Sequence, residues 1–171
     1  MSKNRDVRAF DYVNQPYDRV SEALSGDALE IFRSATRAAA SRAHSVATGL
    51  RVNIGGIEVG APIDITVSGI DEDSAAPITG RPIPGEATRL HLEWAAATAP
   101  RLFPLMKGDL SVYALTATET QLDFAGQYEP PLGPLGSAID SLAGHKIAEA
   151  SVHRFVTDIA VYLRETLAEG S

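Results

Sequence analysis

The sequence predicts an α+β fold in which a curved antiparallel β-sheet wraps around a long C-terminal helix. Three observations predict this fold. Between residues 50 and 129, hydrophobic residues recur at every second position and short turn-like stretches separate the segments, which is typical of consecutive antiparallel strands. One strand and two helical patterns precede this region. Residues 135–168 then form a single amphipathic helical pattern, and laying it across the concave face of the sheet buries both apolar surfaces.

The composition indicates one soluble globular domain, residues 1–171. The chain has no cysteine, so disulfides, thiolate metal sites and cysteine nucleophiles are excluded. Its net charge of −7 argues against a general affinity for nucleic acid or for an anionic membrane. No stretch has the length or apolarity of a signal peptide or a membrane span. We therefore expect a cytoplasmic protein with no nucleic-acid partner and no integral membrane segment.

The N-terminal region reads as one strand followed by two helices. Residues 7–14 are rich in β-forming residues. The first helix starts near Pro16, which suits a first helical turn, and ends at Gly26. The second helix has Asp27 as its N-cap or first-turn acid and ends at Gly49.

An arginine-rich stretch without acidic residues lies between Glu30 and Glu58. We favour a solvated helix face for it, and an anion-binding patch is the alternative. The stretch carries Arg33, Arg37, Arg42 and Arg51.

The central region predicts a hairpin and several further strands. In "LRVNIGGIEVGAPIDITVSGI" a short strand, a Gly55-Gly56 turn and a longer strand follow one another. Residues 71–87 read as a loop. After the alternating "TRLHLEWAAA", the segment "PRLFPLMKG" reads as an apolar loop that forms a lid, a rim or a plug. Two more strands, "DLSVYALTAT" and "TQLDFAGQYE", complete the sheet.

The segment "GQYEPPLGPLGSA", residues 126–138, joins the last strand to the terminal helix. Pro130 and Pro131 cannot donate to a sheet ladder, so they end the strand. Gly133 allows a sharp reversal, and Pro134 suits the first turn of a helix. We interpret this segment as structural, with no chemical role of its own.

Three segments carry a resemblance to a known superfamily: "YEPPLGPLGSAID", "LFPLMKGDLSVYAL" and "YDRVSEAL". With this order of elements, the chain resembles the START-like, or Bet v 1-like (SRPBCC), helix-grip superfamily. It looks most similar to the bacterial polyketide cyclase/dehydrase and lipid-transport branch. The resemblance implies a curved sheet of seven strands around the C-terminal helix. The sequence itself gives about six, so one is expected to be short or to lie within residues 71–87.

The resemblance also implies a hydrophobic cavity between the sheet and the terminal helix. Members of the superfamily bind lipids, sterols, polyketides or hormones, and some catalyse cyclisation or dehydration in the cavity. The fold alone does not decide between these roles. The residues expected to line the cavity are Tyr12, Phe32, Trp94, Tyr113, Phe124, Tyr128, Phe155 and Ile159.

The titratable residues give little support for a catalytic or metal site. His145, Glu149 and His153 share a helical stripe, for which a polar helix face is favoured over a metal site. His91 and Glu93 share one side of a strand and could form an acid–base pair. Because Leu90, Leu92 and Trp94 occupy the other side, we favour an outward position for both. We expect neither a metal nor a cofactor.

The sequence therefore favours a binding protein for a hydrophobic, lipid-like or polyketide-like small molecule. The alternative is an enzyme of the polyketide cyclase or dehydratase type that works inside the cavity, with Tyr113, Tyr128 and His91 as the candidate acid or base groups. A regulatory or assembly partner is a third reading, and a homodimer is left open.

Overall fold

The computed structural model describes the backbone of residues 5–42, 50–54, 57–61, 63–71, 85–96, 105–129 and 141–169. These residues form an α+β fold of seven strands and two helices. In chain order the elements are β1 (Arg5–Val13), α1 (Tyr17–Arg42), β2 (Leu50–Ile54), β3 (Ile57–Ala61), β4 (Ile63–Asp71), β5 (Ala87–Ala96), β6 (Leu105–Thr116), β7 (Glu119–Glu129) and α2 (Ser141–Ala168).

Five strands form one antiparallel sheet in the order β1-β7-β6-β5-β4, and β2 and β3 pair as a separate hairpin. The first strand thus pairs with the last, which brings the N-terminal strand beside the strand that precedes α2. The predicted antiparallel sheet and terminal helix are confirmed.

The longer strand predicted after Gly56 is in fact two strands. One ends at Ala61 and the next begins at Ile63. Pro62 separates them in the sequence, and a proline supplies no N–H to a sheet ladder. The additional strand therefore comes from this division, while residues 72–84, the other place considered for it, lie outside the described residues.

The predicted apolar loop also differs from the structure. Leu105 and Met106 belong to β6, and the Met106 side chain is buried in the core. The two prolines of the segment and Gly108 favoured a loop in the sequence, but Gly108 is a ladder residue of β6, paired with Gly126. Leu102 and Phe103, like the joint residues 130–138, lie outside the described part.

Helix α1 is bent at Asp27, whose φ of −153° and ψ of 64° are not helical. Asp27 Oδ1 accepts a hydrogen bond from the Glu30 amide at 3.2 Å, as an N-cap does for the start of a helix. The two helices predicted after β1 are therefore present as two halves of α1 on either side of this bend.

Two glycines make room for an aromatic ring on the inner face of the sheet, which is the face whose side chains enter the core shared with α1 and α2. Gly108 and Gly126 are cross-strand partners. A Cβ on Gly108 would lie 2.5 Å from Phe124 Cζ, and one on Gly126 would lie 2.6 Å from the Lys107 carbonyl oxygen and 2.8 Å from Phe124 Cζ. Since real Cβ atoms do not approach so closely, the Phe124 ring packs directly against the backbone of this glycine pair.

The sheet, α1 and α2 share one hydrophobic core. Phe32 from α1 meets Phe155 from α2 edge to face, with ring centroids 5.3 Å apart. The buried apolar residues of the helices are Val20, Leu24, Ala28, Phe32 and Ala35 of α1 and Ala148, Val152, Phe155, Val156, Ile159, Ala160 and Leu163 of α2.

The C-terminal part of α2 forms polar contacts with β1 and with the start of α1. Arg164 Nη2 lies 2.6 Å from Asp11 Oδ1 and also donates to the Tyr12 carbonyl oxygen. Arg19 Nη2 donates to the Leu167 carbonyl oxygen at 2.9 Å, which satisfies one of the orphan carbonyls of the helix end. These contacts fix the direction in which α2 crosses the sheet.

Candidate functional site

Four of the residues predicted to line a cavity come together in the core. Phe32, Phe155 and Ile159 project from the helices, and Phe124 projects from the inner face of β7. All four are 5% exposed or less. The core between the sheet and α2 is therefore built of aromatic and aliphatic side chains, the residue types that line sites for apolar molecules.

Tyr128 supplies a polar group at one end of this interior. Its side chain is only 1% exposed, and its phenol oxygen accepts a hydrogen bond from the Arg5 guanidinium. Burial raises the pKa of Tyr128, while the nearby Arg5 charge opposes that effect. The hydroxyl is consequently neutral at physiological pH and can donate as well as accept a hydrogen bond.

The backbone of Trp94 lies in the same part of the sheet. The cross-strand register runs from Trp94 to Met106 and from Met106 to Tyr128, and Tyr128 pairs with Arg5. These four positions form a row across the inner face at the end where β5 and β7 finish. The Trp94 side chain lies outside the described residues.

Tyr12 and Tyr113 are separated from the other predicted residues. The alternation along β1 puts Val7, Ala9 and Val13 in the core and Tyr12 on the outer face, where it is 49% exposed. The Arg164 guanidinium lies 4.8 Å from the centre of the Tyr12 ring. The Tyr113 hydroxyl donates to Asp123 on the outer face, at 3.5 Å. Neither tyrosine is part of the buried interior.

His91 lies on the outer face between two aspartates. His91 Nδ1 is 2.7 Å from Asp109 Oδ1 on β6, and His91 Nε2 is 2.9 Å from Asp71 Oδ2 on β4. The hydrogen bond with Asp71, followed by that with Asp109, raises the pKa of His91, and desolvation opposes them only in part. The cluster was not predictable from the sequence, because Asp71 was expected in a loop, whereas β4 continues to that residue.

Glu93 also lies on the outer face, with Glu93 Oε1 2.7 Å from Lys107 Nζ. His91 and Glu93 thus have different partners and do not form an acid–base pair. Their predicted outward position is confirmed by the contacts that they make.

In the described part of the chain, no group of three or more histidine, aspartate or glutamate residues could hold a metal ion, and Asp71 and Asp109 approach different nitrogens of His91. The side chain of His145 lies outside this part, so the predicted stripe with Glu149 and His153 is only partly described. Glu149 and His153 themselves are exposed. Among the described helices, none has the length and apolarity to cross a membrane.

The fold resembles solved structures over nearly the whole chain. The crystal structure of TTHA0849 from Thermus thermophilus matches with a TM-score of 0.51 and 15% identity, over 98% of this chain and 100% of that one. The Zhui aromatase/cyclase from Streptomyces sp. R1128 matches with a TM-score of 0.47 and 15% identity, over 99% of each chain. Norcoclaurine synthase from Thalictrum flavum, solved with dopamine and hydroxybenzaldehyde, gives a TM-score of 0.44 and 9% identity, over 96% of this chain and 89% of that one.

No protein-family model and no curated protein matches the chain. At these identities the structural likeness concerns the fold alone. The antiparallel sheet and the C-terminal helix that the sequence resemblance implied are present, while the described strands form a five-stranded sheet and a separate hairpin instead of one sheet of seven strands. The function has to be argued from the residues of this chain.

Proposed function

We propose that the chain binds a largely hydrophobic small molecule, lipid-like or polyketide-like, between the inner face of the sheet and α2. The observation that carries the proposal is the composition of this interior. Its walls include Phe32, Phe124, Phe155 and Ile159, and its most buried polar side chain at the sheet end is Tyr128. An apolar surface with a polar group at its end suits a ligand that has an apolar body and a polar group at one end.

The Arg5–Tyr128 pair supports a more specific expectation about the ligand's polar end. A guanidinium and a neutral phenol together offer hydrogen bonds and a positive charge. A carbonyl, carboxylate or sulfonate oxygen attached to an apolar body matches these groups. Binding then buries the apolar body and leaves the oxygen beside Tyr128.

The outer positions of His91 and Tyr113 favour binding over catalysis. Of the three groups considered as acid or base in a cyclase or dehydratase reaction, only Tyr128 faces the interior. Its raised pKa makes it a poor base at neutral pH. We therefore propose no catalytic step.

The proposal can be tested with 8-anilinonaphthalene-1-sulfonate, which has an apolar aromatic body and one sulfonate. We expect saturable binding of one probe per chain by fluorescence titration. Val152 is fully buried on α2, so Val152→Phe fills part of the interior and should weaken binding about tenfold or more. Tyr128→Phe, which keeps the ring, should weaken it about three- to tenfold.

Tyr12→Phe is the matched control, because it makes the same chemical change on the outer face and should leave probe binding unchanged. Near-ultraviolet circular dichroism verifies that each variant keeps its packed core, since the probe also binds partly folded chains. Absence of saturable binding, or equal affinity in Val152→Phe, Tyr128→Phe and Tyr12→Phe, would overturn the proposal. Native mass spectrometry after mild extraction would identify a co-purifying ligand.

A further inference from the structure

Strand β1 lies at one edge of the five-stranded sheet, and its side away from β7 is open. In the described part of the chain, β7 is the only strand that pairs with β1. A strand at a sheet edge presents its remaining N–H and C=O groups to any extended chain that comes beside it. The open side of β1 is therefore a template for a further strand.

The contacts of Tyr12 show which residues of β1 direct their backbone toward the open side. The Tyr12 amide donates to Asp11 Oδ1 at 2.8 Å, and the Tyr12 carbonyl oxygen accepts from Arg164. Both backbone groups thus point away from β7. Because this direction alternates along a strand, the odd-numbered residues form the ladder with β7 and the other even-numbered residues point outward as well. These further outward residues are Asp6, Arg8 and Phe10.

Three consecutive outward positions of β1 are accessible. Within the described ranges, backbone hydrogen bonds outside the helices and ladders do not involve β1. The Phe10 side chain is 70% exposed and the Arg8 side chain is 53% exposed, so neither is covered by another element. Arg164 occupies the open side only at Tyr12. The stretch from Asp6 to Phe10 can therefore accept hydrogen bonds from an added strand and donate to it.

A second copy of β1 fits this edge in one antiparallel register. Hydrogen-bonded pairs across a two-fold axis have to join outward-directed residues of both copies. When Arg8 lies opposite Arg8 of the second copy, Asp6 of each copy lies opposite Phe10 of the other. This register uses every free outward position and does not need Tyr12, whose backbone groups are already engaged. Each hydrogen-bonded pair exchanges two bonds, which gives about six in total.

The charges of β1 are complementary in the same register. Arg5 lies opposite Asp11 of the second copy at both ends of the paired segment, and Asp6 lies diagonally beside Arg8 of the second copy. Arg8 also comes within diagonal reach of the exposed Phe10 ring of the other copy, a contact that a guanidinium favours. The two opposed Arg8 charges are each matched by Asp123 of their own chain, at 3.4 Å.

We propose that two copies of the chain associate through their β1 edges, so that the sheet continues from one copy into the other about a two-fold axis. The self-complementary charge pattern favours a second copy over an unrelated extended segment, and two-fold dimers are the commonest protein assemblies. Because strand pairing alone covers a small area, we expect a reversible dimer with a dissociation constant of about 1–100 μM.

Disulfide cross-linking tests the register, since the chain has no cysteine and a single introduced one can pair only with another copy. In Arg8→Cys the two Cα atoms would lie about 5.5 Å apart, within the range that a disulfide spans. Asp6→Cys is the matched control on the same edge, because its copy lies four residues along the strand, about 14 Å away. Under mild oxidation, non-reducing electrophoresis should show dimer forming about tenfold or more faster in Arg8→Cys. Equal rates, or a faster reaction in Asp6→Cys, would overturn the proposal.

Analytical ultracentrifugation of the full chain over a range of concentrations tests the strand pairing itself. Phe10→Pro removes an outward N–H but no ladder bond with β7, so it should weaken the dimer about tenfold or more. Phe10→Thr removes the ring and keeps the amide, so it should change the dissociation constant by less than about threefold. Circular dichroism verifies that both variants fold, and if Phe10→Pro does not, the cross-linking comparison decides. A chain that stays monomeric up to about 1 mM, or equal losses in Phe10→Pro and Phe10→Thr, would overturn the proposal.

Discussion

Single side chains on the outer face couple protonation to stability, and His91 is the principal case. A protonated His91 donates to Asp71 and Asp109 at once and so ties β4, β5 and β6 together. The other charged groups of this face that come from the same strands are Arg89, which pairs across the ladders with Asp71 and Ser111, and the Glu93–Lys107 ion pair. The two aspartates contact the ring directly, so they decide the direction of its pKa shift.

The sign of the pH dependence follows from that direction. The pKa of His91 is higher in the folded chain than the ordinary value of about 6.5 in the unfolded chain. Its stabilising contribution is therefore complete below about pH 6.5 and is lost as the pH rises through the folded pKa. We expect His91→Gln to lower the free energy of unfolding more at about pH 6 than at about pH 9, measured by urea denaturation. His153→Gln, at an exposed position of α2, is the control, and a His91→Gln effect that is the same at both pH values would contradict the prediction.

Gly126 is a residue where a single added methyl group should be costly. In Gly126→Ala the new Cβ meets the Lys107 carbonyl oxygen and the Phe124 ring, so strand spacing or ring position has to change. Such overpacking costs about 1–3 kcal/mol in the free energy of unfolding. Gly26→Ala is the matched control, because no atom lies within 4 Å of its added Cβ and it should be neutral or stabilising by up to about 1 kcal/mol. Similar urea midpoints for Gly126→Ala and Gly26→Ala would show that the ring is not confined as described.

At the scale of elements, the attachment of α2 to β1 depends on Arg164. This residue bonds Asp11 and the Tyr12 carbonyl oxygen and lies over the Tyr12 ring. We expect Arg164→Met to cost about 1–3 kcal/mol, because it leaves a partly buried carboxylate without its cation. Arg154→Met, on the same helix, removes only a long 3.9 Å pair with Asp158 and should cost about 0.5 kcal/mol or less. Equal urea midpoints for the two variants would rule out this role of Arg164.

The faces of the strands were predictable only where one side carries all the apolar residues. On β5 only one side can face the core, because the apolar residues Leu90, Leu92 and Trp94 alternate with the polar residues Arg89, His91 and Glu93. The outward position of His91 and Glu93 followed from this pattern. On β1, Val7, Ala9 and Val13 alternate with Phe10 and Tyr12, so both sides are apolar in part and the pattern alone does not choose between them. The side that enters the core is set by pairing with β7 and contact with α2, which no local pattern contains.

The polar end of the candidate site, formed by Arg5 and Tyr128, was harder to predict from the sequence than its aromatic residues. Phe32, Phe124 and Phe155 lie on the apolar stripes of the helices and on the apolar side of β7 in the sequence, and these positions predict their burial. The pairing of Arg5 with Tyr128 depends on the register between the first and last strands, which lie far apart in the chain. The hydrogen bonds of Thr88 with Tyr17 and Ser21 likewise join β5 to α1, and spacing along the sequence does not reveal them.

At the scale of the whole molecule, we propose that the chain unfolds as one domain. One hydrophobic cluster draws residues from α1, the large sheet and α2, so no described element has a core of its own. Fluorescence of the single tryptophan, Trp94 on β5, and far-ultraviolet circular dichroism of the helices should give coincident urea transitions. Phe155→Ala should lower both midpoints together, at a cost of about 3–5 kcal/mol. Two separated transitions in the unmodified chain would contradict this proposal.

The position of the Phe124 ring also suggests where a cavity could be engineered into the core. Because it rests on the backbone of two glycines, shortening it to alanine would expose a slot whose floor is peptide rather than side chain. Its other walls are the apolar side chains of the core, and an apolar cavity can accept a flat hydrocarbon such as benzene. The same pair of glycines that lets the native side chain lie against the sheet would thus let a small flat hydrocarbon take its place after one substitution.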